Sequence, residues 1–222
     1  MADLSVDFGK FTLKNPVMTA SGTFGYGMEY AEFYDLSRLG AVVVKGIRSI
    51  PSHGNPTPRV AEVTGGMLNA IGLQGPGIDK FLTDDHYLPG LKKTGATVIV
   101  NMWGVTIEEY AEVAAKLDAN SDGITALEVN ISCPNVKAGG AAFGTDLKLA
   151  HEVVSAVRKA TKLPIITKLS PNVGNIADFA RAVEDAGSDA VPLSTLFPPW
   201  LSTSTPANRK SPTNLPDFPG PP

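Results

Sequence analysis

The segment Asn130-Ile131-Ser132-Cys133-Pro134-Asn135 holds the residues best suited to chemistry. Cys133 is the only cysteine of the chain, which excludes an internal disulfide framework. A lone cysteine is often a small buried hydrophobic residue. The asparagines beside it, however, need several hydrogen-bond partners each and suit a core poorly. A thiol titrates near ~8.5, so modest help from a cationic neighbour would make it a base. The residues favour a base or nucleophile over a core cysteine.

Two lysines stand in equivalent places, each ending an apolar run. Lys45 ends Ala-Val-Val-Val-Lys, and Lys168 ends Pro-Ile-Ile-Thr-Lys. Lysine is rarely buried without a partner. One such lysine could reach out to solvent, but two in the same structural position favour an anionic ligand that contacts both.

Two glycine-containing segments could approach a ligand. Ala20-Ser21-Gly22-Thr23-Phe24-Gly25 contains two glycines, so a planar ring or a phosphate could come close to its backbone. Asn69-Ala70-Ile71-Gly72-Leu73-Gln74-Gly75-Pro76-Gly77 offers amides suited to a polar ring-shaped ligand. Each segment alone could equally be an ordinary turn. The three histidines are scattered without metal-ligand spacing, so we expect no metal site.

The elements that must position these residues alternate along the chain. Short apolar runs rich in β-branched residues suit the strands of a parallel sheet covered on both faces. Between them lie amphipathic stretches with helical period. The predicted strands are Val17–Ala20, Ala41–Lys45, Thr97–Asn101, Ala126–Ile131, Pro164–Lys168 and Asp189–Val191. The predicted helices are Glu29–Leu36, Ile107–Ala119, Asp146–Ala160 and Ile176–Ala186.

Polar residues at successive strand ends favour a closed barrel over an open sheet. They are Ser21, Lys45, Asn101, Asn130 with Cys133, and Lys168. An open flavodoxin-like binding domain would concentrate its site at one switch point, whereas a TIM barrel collects groups from every strand end. Leu4–Phe8 and Phe11–Leu13, joined by Gly9-Lys10, predict a hairpin that plugs the bottom of the barrel.

Two further features concern the connections. Thr106 fits the N-cap of the second helix, with Glu109 completing a capping box and Glu108, Glu109 and Glu112 forming its solvent face. The segment 46–88 is too long for a simple connection and too rich in Gly and Pro for a helix, which is typical of a functional loop.

Bulk properties narrow the class of protein. The formal net charge is −3 without a long run of one sign, which argues against a nucleic-acid or membrane-surface protein. No stretch approaches the ~18 apolar residues of a membrane span, and the N-terminus lacks signal-peptide features. We therefore expect a cytoplasmic protein. The 222 residues fall short of the roughly 250 of a complete barrel.

Taken together, these motifs resemble the class 1 dihydroorotate dehydrogenases, in particular the NAD-linked subtype. The matching residues extend over most of the chain: Ala-Ser-Gly-Thr-Phe-Gly at 20–25, Val-Lys-Gly at 44–46, Asn-Ala-Ile-Gly-Leu-Gln at 69–74, Asn101, Asn-Ile-Ser-Cys-Pro-Asn at 130–135, and Lys168. Class 2 enzymes are similar but use serine as the base and are membrane-associated. Cys133 and the absence of an N-terminal membrane helix both favour class 1.

The resemblance implies an FMN-dependent TIM barrel that oxidises dihydroorotate to orotate, with Cys133 as the base. It assigns substrate binding to Lys45, Asn69, Ala70, Ile71, Gly72, Leu73 and Asn130. It assigns FMN binding to Ser21, Lys45, Gly46, Asn101, Asn130 and Lys168. It further implies a homodimeric core and a second subunit that carries FAD and a [2Fe–2S] cluster. Other FMN barrels that act on pyrimidine rings, such as the catalytic domain of dihydropyrimidine dehydrogenase, are the related alternative.

The chain departs from the family pattern after its sixth predicted strand. Residues 1–191 fit the N-terminal part of the barrel, but the family's phosphate-binding loops after strands seven and eight have no counterpart. Residues 192–222 contain nine prolines and three charged residues, a composition that continues neither strand nor helix. The segment is then a flexible extension, or the product of a frameshift. An inactive, truncated barrel is the non-enzymatic alternative.

The frameshift hypothesis makes a prediction about the gene. With suitable codons, another frame can encode Val-Asn-Thr-Leu-Pro-Ala-Met-Ala-Val-Asp-Ile-Asp-Thr-Arg-Lys-Pro, a plausible continuation of strand six and its loop. We expect DNA sequencing through codons 185–222 and beyond to reveal a frame that continues into glycine-rich strands seven and eight. Codons that cannot supply this continuation would contradict the hypothesis.

Overall fold

The computed structural model describes residues 2–63, 66–132, 137–138 and 141–192. The strands are β1 (Val6–Asp7), β2 (Thr12–Leu13), β3 (Val42–Ile47), β4 (Val60–Val63), β5 (Gly66–Asn69), β6 (Val98–Met102), β7 (Ala126–Asn130), β8 (Lys137–Ala138), β9 (Ala141–Ala142) and β10 (Ile165–Lys168). The α-helices are α1 (Ile78–Thr83), α2 (Leu88–Thr94), α3 (Ile107–Ala119), α4 (Leu147–Ala160) and α5 (Ile176–Asp185). None of the helices in these ranges is long and apolar enough to span a bilayer.

The central sheet is parallel and follows the order of the chain. Its four long strands lie in the order β3-β6-β7-β10. Parallel bridges from Met18 to Ala41 and from Ile166 to Ala190 add one neighbour at each edge. Six consecutive segments therefore lie side by side without the order reversal of a doubly wound sheet. This is the strand order of a TIM barrel, and the described part of the sheet is open between its first and sixth segments.

Alternate residues along each strand enter two different cores, because successive side chains point to opposite faces of a sheet. The outward residues Val42, Val44, Val98, Val100, Leu127, Val129 and Ile165 join the larger core cluster, which also holds the buried faces of α3, α4 and α5. The inward residues Ala41, Val43, Ile99, Ala126 and Ile166 form a smaller cluster with Leu13. The continuous apolar runs are thus explained by burial on both faces.

The predicted N-terminal hairpin is present and covers the inner cluster. β1 and β2 pair antiparallel, with Val6 opposite Leu13. The Phe8 and Phe11 rings stack with centroids 4.9 Å apart and pack against the inner cluster. That cluster includes Ala41 and Ala126, which stand at the N-terminal ends of their strands. The hairpin therefore lies at the end of the sheet opposite the polar strand ends.

The predicted helix over Glu29–Leu36 is wrong. The structure has two 3₁₀ turns there, Met28–Tyr30 and Leu36–Arg38. The side chain of Asp35 accepts a hydrogen bond from the backbone N–H two residues on, at 3.0 Å, and so begins a new turn instead of continuing the first. Phe33 is 83% exposed, so the segment also lacks a continuous buried stripe that would stabilise an α-helix.

The segment 46–88 contains a helix and a hairpin, against the prediction that it is too rich in glycine and proline for a helix. β4 pairs antiparallel with β5, and α1 buries Ile78 and Phe81. Gly77, with φ +78°, stands just before α1, and Pro89 lies in the first turn of α2. Glycine and proline are tolerated at helix ends, so their abundance here marks boundaries and does not exclude helices.

Replacing Leu13 tests the role of the hairpin in the inner core. Leu13 is 1% exposed, so Leu13→Ala should lower the free energy of unfolding by about 2–4 kcal/mol through lost burial and a residual cavity. Urea unfolding followed by circular dichroism measures this, with Leu4→Ala at an exposed position of the same segment as the control. Equal stability of the two variants would show that the hairpin does not pack on the sheet.

Candidate functional site

The inner face of the sheet changes from apolar to polar toward the C-terminal ends of the strands. The same two-residue alternation that places small apolar residues at one end places polar ones at the other. On this face of each strand an apolar residue is followed two positions later by a polar one. These pairs are Val43 and Lys45 in β3, Ile99 and Asn101 in β6, and Ile166 and Lys168 in β10, whereas in β7 Ala126 is followed by both Glu128 and Asn130. We call Lys45, Asn101, Glu128, Asn130 and Lys168 the inner polar layer.

Lys168 and Ser21 meet inside this layer. The Lys168 Nζ donates a hydrogen bond to Ser21 Oγ at 2.8 Å, between residues 147 positions apart. The same Nζ lies 3.4 Å from Glu128 Oε1. All three residues are buried. The structure therefore brings together two of the residues to which the resemblance assigned FMN binding, Ser21 after the first segment of the sheet and Lys168 at the end of the fifth.

Asn101 and Gly46 also lie together. The Asn101 Nδ2 donates to Glu128 Oε1 at 2.5 Å. A Cβ on Gly46 would lie 2.8 Å from Asn101 Oδ1 and 3.0 Å from Cδ1 of Trp103. Any side chain at position 46 would collide with both, so this place requires glycine. Among the described residues, neither Asn101 Oδ1 nor Trp103 Nε1 has a hydrogen-bond partner, although both are buried.

Asn130 holds the start of the segment that leads to Cys133. Its Oδ1 accepts hydrogen bonds from Ser132 Oγ at 2.6 Å and from the Ser132 backbone N–H at 3.2 Å. Its backbone carbonyl accepts from the hydroxyl of Tyr110 at 2.8 Å. Cys133, the predicted base, lies outside the described residues. Its role stays a prediction.

Lys45 occupies a half-buried position. Its backbone N–H donates to the carbonyl of Gly25 at 2.8 Å, which joins β3 to the loop that contains Ser21. Burial lowers the pKa of the Lys45 side chain, and the nearby positive charge of Arg59 lowers it further against the opposing effect of Glu29. No hydrogen bond or ion pair satisfies the Lys45 side chain within the described ranges. An anionic ligand would relieve this cost.

The predicted substrate residues Asn69, Ala70, Ile71, Gly72 and Leu73 form a turn after β5. The Ala70 backbone N–H donates to the carbonyl of Arg59 at 2.8 Å, and the Ile71 carbonyl accepts from the backbone of Asn55 at 3.0 Å. Gly72 and Leu73 both have positive φ, +76° and +54°. Leu73 therefore adopts a backbone conformation that non-glycine residues seldom populate.

This turn approaches the inner polar layer through its neighbours. A Cβ on Gly75 would lie 3.3 Å from the carbonyl oxygen of Gly46. The positive charge of Arg59 lowers the pKa of Lys45. Within the part of the chain that the structure describes, no hydrogen bond or ion pair joins residues 69–73 directly to Lys45 or Asn130. Their substrate contacts stay a prediction.

Two residues of this region escaped the sequence analysis, Glu128 and Arg48. Glu128 is a charged residue inside the apolar run Ala-Leu-Glu-Val-Asn, on the same face as Asn130. Its alternation with Asn130 was the signal that could have found it. Arg48 follows β3, and its guanidinium carbon lies 4.8 Å from the centroid of the Trp103 ring.

Glu109 was predicted on the solvent face of α3 but is buried. Arg48 donates to it through Nε at 2.9 Å and Nη2 at 3.0 Å, and Ser49 Oγ donates at 2.5 Å. Although burial works to raise the pKa of Glu109, the hydrogen bonds from Arg48, Ser49 and the Val105 N–H lower it. Thr106 caps the helix by accepting from the Glu109 N–H at 3.2 Å. The cap is thus confirmed, but the carboxylate binds Arg48, 61 positions away, a pairing that local pattern cannot show.

The site fits a planar heterocycle with N–H and carbonyl groups. Gly46 presents backbone without a side chain, and Asn101 Oδ1 and Trp103 Nε1 are a buried acceptor and donor that lack partners among the described residues. Such groups are normally satisfied by protein, water or ligand. Lys45 and Lys168 would place positive charge beside the ring. These features suit the isoalloxazine ring of FMN.

Comparison with known proteins identifies relatives of the whole described region. The model of the family described as dihydroorotate dehydrogenase matches residues 3–196. The catalytic subunit of dihydroorotate dehydrogenase B (NAD(+)) from Geotalea uraniireducens is 56% identical over 191 residues, or 86% of this chain and 62% of that protein. The same subunit from Desulforamulus reducens is 57% identical over 189 residues, or 85% of this chain and 61% of that protein. The chain thus spans less than two thirds of the length of these relatives, and the TIM barrel expected from the sequence is the fold of the family.

Replacing Lys45 should stabilise the apo protein while weakening anion binding. Lys45→Met removes a charge whose pKa is lowered by folding, so it should raise the free energy of unfolding by roughly 1 kcal/mol at neutral pH. This gain should shrink as the pH rises through the lowered pKa toward the ~10.5 of free lysine, because folded Lys45 then loses its charge. Thermal unfolding from pH 7 to 10 measures it, with the exposed Lys159→Met as control. A loss of stability would show that Lys45 is paired.

Proposed function

The chain belongs to the dihydroorotate dehydrogenase family, and from this we infer that it carries part of an FMN-dependent site that oxidises dihydroorotate to orotate in pyrimidine biosynthesis. The observation that supports the inference is the inner polar layer. Lys168, Ser21, Asn101 and Gly46 come from four different strand ends and lie within contact distance of one another or of Glu128. A site built from several strand ends is typical of barrel enzymes.

The cofactor would lie against the residues that surround Gly46. Gly46 would let the ring approach the backbone, and Asn101 and Asn130 would offer amide groups to its polar edge. Lys168, held by Ser21 at 2.8 Å, would stabilise negative charge on the ring. FMN, when bound, supplies the acceptor for the hydride that leaves C6 of dihydroorotate.

The substrate would lie over the same layer, between Lys45 and the turn at Asn69–Leu73. The ammonium group of Lys45, which has no ion pair among the residues that the structure describes, suits the substrate carboxylate. The amides of Asn69 and Asn130 and the backbone of Ala70, Ile71, Gly72 and Leu73 suit the ring carbonyl and N–H groups. The positive φ of Gly72 and Leu73 turns their backbone amides in directions that a regular strand does not allow.

Cys133 would remove the proton from C5 of dihydroorotate, which the adjacent carbonyl acidifies. The S–H bond forms as the C5–H bond breaks, and the electron pair of that bond forms the C5–C6 double bond of orotate while the C6 hydrogen leaves with its electrons. The hydrogen bonds from Ser132 to Asn130 would fix the direction in which the chain enters the Cys133 segment. Lys45 and Lys168 would be the cations that favour the thiolate, Lys168 from the strand that pairs with β7.

A partner would carry the electrons onward. The relatives are named as catalytic subunits of an NAD(+)-linked enzyme, and this supports a second subunit. We propose that this subunit holds FAD and a [2Fe–2S] cluster and that two copies of the catalytic chain form the core.

Residues 192–222 were predicted to lie outside the barrel. The carbonyl of Pro192, however, accepts a hydrogen bond from the backbone N–H of Leu169 at 3.3 Å, and the family match ends at residue 196. We therefore propose that the segment outside the barrel begins after residue 196. If the chain as given is expressed without the rest of the barrel, we expect it to retain FMN poorly, because the family's phosphate-binding loops follow later strands.

Variants of Cys133 test the proposed chemistry. Reduction of FMN by dihydroorotate is measured under anaerobic conditions as the loss of flavin absorbance. Its rate should fall by about 10²-fold or more in Cys133→Ser at neutral pH, because a hydroxyl is a far weaker base. Ser155→Ala, on α4, should leave the rate unchanged. The protein should be loaded with FMN and assayed with its electron-transfer partner absent, so that only the first half-reaction is followed.

Dihydrouracil serves as the substrate control for this experiment. It lacks the carboxylate that Lys45 would bind, so it should reduce FMN much more slowly. Faster reduction by dihydrouracil would indicate a different dihydropyrimidine substrate, and failure to retain FMN would show that this chain alone has no such activity.

A further inference from the structure

Glu128 is a buried carboxylate to which the proposed reaction gives no role. It is 7% exposed and stands in the middle of β7, between apolar neighbours that face the helices. A charge in such a place is costly unless it is paired and hydrogen-bonded. The contacts of Glu128 therefore identify what it does.

One oxygen of Glu128 joins the two strands that flank β7. Oε1 accepts from Asn101 Nδ2 of β6 at 2.5 Å and lies 3.4 Å from Lys168 Nζ of β10. Asn101 is the register partner of Glu128, whereas Lys168 pairs with Asn130 two residues further along β7. The carboxylate thus reaches across to one neighbour and diagonally to the other.

The contact with Asn101 decides the orientation of its amide. An ionised carboxylate only accepts hydrogen bonds, so the NH₂ group of Asn101 must face Glu128. Its oxygen is then turned toward Gly46, where a Cβ would lie 2.8 Å away. With a neutral amide in place of Glu128, both orientations of Asn101 would find a partner.

The ion pair with Glu128 helps to fix the position of the Lys168 ammonium group. Lys168 Nζ donates a hydrogen bond to Ser21 Oγ at 2.8 Å and forms an ion pair with Glu128 Oε1 at 3.4 Å. Glu128 therefore offsets part of the positive charge that a ligand beside Lys168 would meet. An anion that binds beside Lys168 must share it with this carboxylate.

We propose that Glu128 is a positioning residue that orients Asn101 and anchors Lys168 toward the ligand. The inference rests on the proposed function only in taking the ligand to be the flavin ring with its pyrimidine substrate. Glu128 touches neither in this scheme and acts through its two partners. Removing the charge of Glu128 should therefore change the redox potential of the flavin and the affinity of the site for anions, an effect that a purely structural carboxylate would not have.

The isosteric variant Glu128→Gln tests this in the FMN-loaded protein. The midpoint potential of FMN should become more positive, because Lys168 is no longer offset and reduced flavin gains negative charge. Orotate, an anion, should bind about tenfold more tightly, the scale of one hydrogen-bonded charge. Glu112→Gln, on the exposed face of α3, should change neither, and melting curves should show that both variants fold. An unchanged potential and an unchanged orotate affinity in Glu128→Gln would overturn the proposal.

A second measurement tests the positioning role of Glu128 without requiring that this chain retain FMN. Hydrogen exchange of the side-chain amide of Asn101, followed by NMR in the unloaded protein, should accelerate about tenfold in Glu128→Ala and less in Glu128→Gln, because the charge-assisted bond is lost or weakened. The amide of Asn120, which donates to the Lys116 carbonyl at 2.8 Å, is the internal control. Equal exchange of Asn101 in all three proteins would refute the positioning role. Absence of FMN alone would refute only the proposed function of this chain.

Discussion

Side-chain alternation along neighbouring parallel strands is the constraint on which the rest of this structure depends. Because successive side chains point to opposite faces of a strand and the sheet strands are parallel neighbours in the order β3-β6-β7-β10, residues two apart on every strand reach the same face. That face begins with Ala41 and Ala126 beside the N-terminal hairpin and ends with the inner polar layer. A shift of one residue in any strand register would move its polar end group outward and an apolar residue into the site.

Part of the inner polar layer shares its charges with neighbouring polar groups. Glu128, Lys168, Asn101 and Ser21 form a buried network in which each member has at least one partner. In a medium of low polarity such a network is stronger than its separate bonds, and breaking one member exposes the others to the full cost of burial. Lys45 is different, because folding lowers its pKa. The network thus supplies rigidity, whereas Lys45 has no side-chain hydrogen bond or ion pair among the described residues.

The four long strands, the N-terminal hairpin and the placing of Ser21 and Lys168 at the same end of the sheet could be predicted from the sequence, because each depends on local composition and on the geometry of parallel strands. The short hairpin β4–β5 was not predicted, and the first and sixth predicted strands are present only as single bridges. The 3₁₀ turns near Asp35 could not, since one side-chain hydrogen bond decides between continuing a helix and starting a new turn. Glu109 could not be placed either, because its partner Arg48 lies far away in the chain. Glu128 was within reach of the alternation argument, but a single acidic residue in a strand gives no hint of its partners. The roles of Cys133 and of the turn at 69–73 stay predictions.

The hydrogen bond between Lys168 and Ser21 spans 147 positions, whereas every pairing of the long parallel strands joins segments adjacent in chain order. Each segment of the sheet can therefore pair with its predecessor as the polypeptide leaves the ribosome, although the paired residues lie far apart in the sequence, as Val42 and Val98 do. The Lys168–Ser21 contact is the exception, since it must wait for the fifth strand segment to be made. Loop closure of this length is entropically unfavourable until intervening units have docked. The Ser21–Lys168 contact of the inner polar layer consequently depends on the docking of every segment between these two residues.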